Sequence, residues 1–172
     1  MAEGFESLVR EALQLHPTDP DFPEGCPTRL PKDVAAAKEK YQEAMGIYFD
    51  SLGVSQVDYE TLKSCYTGYV LCLVMDKNWD EVIKVTSRAE VDCPVGKPWF
   101  LAGMRVAKKG AQLEQASVAI IDGRTSEASE LLKQARENLD AQAMYTERWY
   151  GDLYDDAQER LSSLEAELKT AT

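Results

Sequence analysis

The side chains best suited to nucleophilic, acid–base or metal chemistry are a single histidine, His16, and four cysteines, Cys26, Cys65, Cys72 and Cys93. Their spacing argues against all three chemistries. His16 precedes Pro17 at the end of an apolar stripe, where its ring can satisfy the last carbonyls of a helix. Alone, it has no second histidine with which to hold zinc and no partner for a triad. No Cys-x-x-Cys pair occurs, and Cys65 and Cys72 lie two turns apart on one helix face, too far for a disulfide. They read as small core hydrophobes. Cys26, set among prolines, is expected to be the most exposed thiol, with nothing beside it to lower its pKa. Gly103 and Gly110 are isolated in a helical pattern without a preceding strand, so no phosphate-cradling loop is formed. Asp155-Asp156 falls on a charged helix face. The expectation is a protein that is not an enzyme and holds no cofactor and no metal.

The whole-chain balance points the same way. In 172 residues, 19 basic side chains face 30 acidic ones, for a formal charge of −11. Phosphate backbones and anionic membrane surfaces both need a basic face, so neither nucleic acid nor membrane is expected as a partner. Met1 to Leu15 carries Glu3, Glu6 and Arg10 and does not read as a signal peptide. The longest apolar run, Tyr69 to Met75, is too short to span a bilayer. With free thiols, a cytoplasmic location is expected, and a nuclear one is compatible with the same features.

Elements that would position any site are helical throughout. Phe5, Leu8, Val9, Ala12 and Leu13 make a stripe at three- and four-residue spacing. Five prolines between His16 and Pro31 forbid a helix there and predict an extended loop. A helix is expected from Lys32 to Leu52, stopped by Gly53, burying Val34, Ala37, Tyr41, Ala44, Met45 and Tyr48. The next, from about Asp58 to Met75, is apolar on most sides and belongs in the interior. Asp76-Lys77-Asn78 turns the chain into a helix from Trp79 to Val91, with Trp79, Val82, Ile83 and Val85 inward. Pro94 and Gly96 break it, and Pro98 opens a helix to Ile121. Thr125 offers an N-cap for helical sequence to Leu168, with an interruption near Gly151. No alternating strand pattern occurs. The organisation expected is one helical domain over 1–172: an N-terminal helix (1–15), the proline-rich loop (16–31), paired helices (32–123) and C-terminal helices (124–172).

A thirty-four-residue spacing relates some of these positions. Trp79, Val82 and Thr86 recur as Leu113, Ala116 and Ile120, and Tyr66, Tyr69 and Leu73 recur as Phe100, Gly103 and Ala107. Pro94 closes the first unit. On these residues, and on Asn78-Trp79-Asp80-Glu81-Val82 and Tyr41-Gln42-Glu43-Ala44, the segment 32–123 resembles the tetratricopeptide-repeat (TPR) family, and in particular the repeats of immunophilin-type co-chaperones. The resemblance implies an all-α fold of antiparallel helical hairpins stacked as a short TPR-like α-solenoid with a long C-terminal capping helix. It also implies a protein-interaction role. Such co-chaperones bind acidic C-terminal tails of heat-shock chaperones with a clamp of lysines, asparagines and an arginine. Here the central asparagine position is Gly68, the third-repeat lysine falls on or next to Lys97, and the arginine position is Leu101 or Ala102. Most of the clamp is missing, which implies a different ligand.

Two candidate surfaces follow. If the first helix of each unit lines a concave groove, Lys63, Tyr66, Tyr69, Lys97 and Arg105 are the candidates to face a bound peptide, whereas Lys108-Lys109 reads as solvated helix surface. At the C-terminus, Trp149 and Tyr150 lead into a heptad-type seam of Tyr154, Ala157, Leu161, Leu164 and Leu168. It would either cap the last repeat or pair with a partner or a second copy of the chain. The function expected is a non-enzymatic adaptor or scaffold for a protein or peptide partner. The alternative is a TPR co-chaperone that binds chaperone tails through a divergent clamp.

Overall fold

The computed structural model describes residues 2–16, 32–51, 56–93, 98–140 and 143–171, with the backbone alone described at 51, 98–99, 138–140 and 143–153. The proline-rich loop with Cys26, the stop at Gly53, and Pro94, Gly96 and Lys97 fall outside the described residues. The fold is all-α, built from helical hairpins: α1 (Ala2–Gln14), α2 (Val34–Ser51), α3 (Tyr59–Met75), α4 (Trp79–Asp92), α5 (Pro98–Ile121), α6 (Thr125–Asp140) and α7 (Ala143–Ala171). Among the described residues there is no strand, and no helix is long and apolar enough to cross a membrane.

Local chemistry explains the boundaries. Asp58 caps α3 by accepting from the Thr61 backbone N–H at 2.8 Å, which also holds its carboxyl below the usual carboxylate range. The turn after α3 places Lys77 at φ 55, and the Asn78 N–H returns to the Leu73 carbonyl at 3.0 Å. That left-handed position carries a lysine where glycine is usual. Gly123, at φ 74, ends α5 in the same way and returns the chain into α6. In one respect the sequence reading is corrected: α7 runs unbroken through Gly151. A second feature bears on the thirty-four-residue spacing. α5 is continuous, so Leu113, Ala116 and Ile120 share one helix with Phe100, Gly103 and Ala107.

Two compact units are distinguished, Met1–Asn78 with Val91–Cys93, and Trp79–Glu90 with Pro94–Thr172. In the first, α1, α2 and α3 pack together around Phe5, Val9, Ala37, Tyr41, Tyr48, Leu62 and Tyr66, all buried. In the second, α5, α6 and α7 pack mutually, and Leu113, Ala116, Leu132, Ala135, Tyr154, Leu161 and Leu164 form one apolar cluster.

Candidate functional site

In the first unit, the polar side chains that sequence reading placed on a groove lie inside. Lys63, Tyr66 and Tyr69 are 1%, 0% and 6% exposed. Lys63 lies low on α3 with its ammonium bonded to Glu60 Oε1 at 2.8 Å and 5.1 Å from the centre of the Tyr59 ring, so its stem is buried while its head meets a carboxylate one turn away. The Tyr66 hydroxyl donates to buried Asp92 Oδ2 at 2.6 Å. Beside them the Tyr59 hydroxyl is buried near the Cys93 thiol, without a hydrogen-bond partner among the described residues. Tyr66 and Asp92 join the end of α4 to α3 through a buried polar contact, and as placed Lys63, Tyr66 and Tyr69 lie inside the unit rather than on an open surface.

The cluster is poorly equipped for nucleophilic chemistry. Burial pushes the Tyr59 hydroxyl up to about 12 and the Cys93 thiol up to about 11. Cys72 rises to about 11 for the same reason, and burial raises Cys65 and Tyr66 as well. At neutral pH these three thiols are protonated and inert, since the thiolate is the reacting form. Among the described residues, no group of His, Cys, Asp and Glu side chains is placed to hold a metal ion.

His16 differs from expectation. Its ring does not cap α1 but is buried, with Nδ1 2.7 Å from the Tyr41 hydroxyl and the two rings stacked at 5.6 Å. Tyr41 in turn lies across Gly68, where an added Cβ would come within 2.2 Å of Cζ and Oη. The clamp asparagine implied by the TPR resemblance therefore cannot occupy position 68 while Tyr41 keeps its place. Leu101 and Ala102, at the arginine position, are buried too.

Burial of the His16 ring lowers its pKa, which gives a signed prediction. With the folded pKa below the unfolded value of about 6.5, stability is fully present above that value and falls as pH drops through the folded one, at most about 1.4 kcal/mol per pH unit. Urea midpoints measured from pH 7 to pH 5.5 should fall for the parent chain. They should stay flatter for His16→Gln, whose amide can still meet Tyr41.

In the second unit, Arg105 is half-buried and its Nε donates to Glu90 Oε1 at 2.7 Å, while Lys108 bonds the other oxygen at 3.2 Å. Lys109 departs from the solvated-surface reading: it is 1% exposed and its ammonium stands 5.5 Å from the centre of the Tyr154 ring. Of the C-terminal seam, Tyr154, Leu161 and Leu164 are buried against α5 and α6, and Leu168 is partly buried against the same cluster. The Trp149 and Tyr150 side chains lie outside the described residues.

Among the described residues of this unit, one open feature is absent from the sequence reading. Along α6 and α7 run two adjoining depressions of about 410 and about 480 Å³, which share Ser129, Leu168 and Lys169. Leu168 lines both; in the smaller one the edge of buried Leu132 completes an apolar floor, and Lys133, Arg136, Glu165 and Lys169 stand around it. Arg136 grips Glu165 with two nitrogens, Nε to Oε1 at 3.1 Å and Nη2 to Oε2 at 2.6 Å. The only sequence signal for this groove was the leucine spacing on α7; its other wall is set by how α6 packs.

Against known proteins, the chain matches no family model, no curated protein and no solved structure.

Proposed function

We propose that this chain is a non-enzymatic adaptor that takes a peptide or helix of a partner protein in the α6–α7 groove, one wall of which is its C-terminal helix. The observation that carries the reading is the open groove itself, with an apolar Leu132–Leu168 floor and charged walls on two long helices. Small-ligand and peptide sites share this build of apolar surface with a few placed polar groups. The inert, buried thiols support a binding role over a covalent one. In this reading the hairpins are a TPR-like scaffold working in the cytoplasm, with the ligand surface moved away from the repeat groove.

The test is selection from a random-peptide display library on the immobilised chain and on Ser129→Trp. Ser129 is exposed and lines both depressions, so an indole there fills the groove without entering the core. Peptides retained by the parent chain and weakened at least about tenfold by Ser129→Trp are expected. Peptides indifferent to that change would remove the groove from the function. Titration with a free peptide ending Glu-Glu-Val-Asp tests the co-chaperone alternative in the same format.

A further inference from the structure

Resting on that adaptor reading, we propose that the partner segment is acidic: its carboxylate docks among Lys133, Arg136 and Lys169 while a neighbouring apolar side chain covers Leu132 and Leu168. In a chain of formal charge −11, this groove is lined by three cations and one carboxylate. With Glu137, which lies 3.9 Å from Lys133, three cations stand against two carboxylates, a small local excess of positive charge that orients an oppositely charged partner.

Glu165 identifies the group recognised. Its carboxylate takes the guanidinium fork of Arg136 through both oxygens, the planar two-point geometry that arginine offers to carboxylates. Both side chains reach solvent, at 52% and 31% exposure. An exposed pair of this kind is weak, so a partner carboxylate can take the fork in exchange for Glu165 at little cost. Lys133, 66% exposed and 3.9 Å from Glu137, is held more loosely still. The intramolecular carboxylate thus occupies the place the partner's would take and keeps the arginine extended across the groove. The floor adds the second requirement: Leu168 is only partly buried against the core cluster, so an apolar side chain beside the partner's carboxylate gains contact there.

The experiment is the display selection read for composition, on the parent chain, on a Lys133→Glu/Lys169→Glu double variant and on Glu165→Gln. All three positions lie on the helix surface, and circular dichroism checks that the variants keep their helix content. The expected result is enrichment of Asp or Glu next to Leu, Ile or Phe on the parent chain. A synthetic copy of the leading peptide should bind about tenfold more weakly to the double variant and several-fold more weakly when salt rises from 50 to 250 mM. It should bind several-fold more tightly to Glu165→Gln, which releases the fork. Groove-dependent peptides that are neutral or basic, or an acidic peptide indifferent to both variants, would overturn the acidic partner and leave the adaptor reading standing. No peptide sensitive to Ser129→Trp would remove both.

Discussion

Gly68→Ala should destabilise the first unit by about 2 kcal/mol net, although alanine is the better helix former by about 1 kcal/mol. The opposition decides the sign. An added methyl would sit 2.2 Å from both Cζ and Oη of Tyr41 and 2.7 Å from Cε2. Tyr41 cannot yield freely, because its ring is fully buried and its hydroxyl holds His16. Overpacking of this kind displaces a ring and a buried hydrogen bond together. Urea unfolding followed by circular dichroism measures the loss, and a double-mutant cycle locates it. Tyr41→Leu is itself destabilising, but it should recover most of the Gly68→Ala cost, since residues in contact are not additive. Gly68→Ala at parent stability or above would show that α2 and α3 do not approach at this point.

Leu161→Ala should cost about 3 kcal/mol in the second unit, near the middle of the range for truncating a fully buried leucine. Leu161 is 0% exposed and belongs to the cluster that joins α5, α6 and α7. Leu168→Ala, on the partly buried edge of the same seam, should cost only about 1 kcal/mol. The contrast separates two uses of one heptad pattern. A seam kept for a partner would give near-neutral changes at both positions in the isolated chain; a seam packed within it gives the graded pair. Hydrogen exchange along α7 should speed up in Leu161→Ala far more than in Leu168→Ala.

Much of the fold was legible because its punctuation is chemical. Pro98, Asp58 with Thr61, Asp76-Lys77-Asn78 and Gly123 each mark a helix end that the structure keeps. Burial along α2 followed the expected stripe at Ala37, Tyr41, Ala44, Met45 and Tyr48, while Val34 at the helix start is only partly buried. What stayed hidden depends on partners distant in sequence. His16 meets Tyr41 across 25 positions, and Lys109 meets Tyr154 from another helix, so neither pairing leaves a local pattern. Lysines also mislead by type: Lys63 and Lys109 bury long apolar stems, which a reading by charge assigns to the surface. The α6–α7 groove was hidden for the same reason. Lys133 and Arg136 carry no signal of their own in the sequence, and only the packing of α7 sets Leu168 and Glu165 against them.

A partner segment seated in the α6–α7 groove has a direct spectroscopic signature. The measurement that tests it most directly is methyl-resolved NMR of the full chain, titrated with the leading display-selected peptide. The largest shifts are expected at the Leu132 and Leu168 methyls, saturating together, with Val118 and Ile121 (exposed apolar residues of α5) unmoved. Shifts centred on Val118 and Ile121, with Leu132 and Leu168 unchanged, would contradict it.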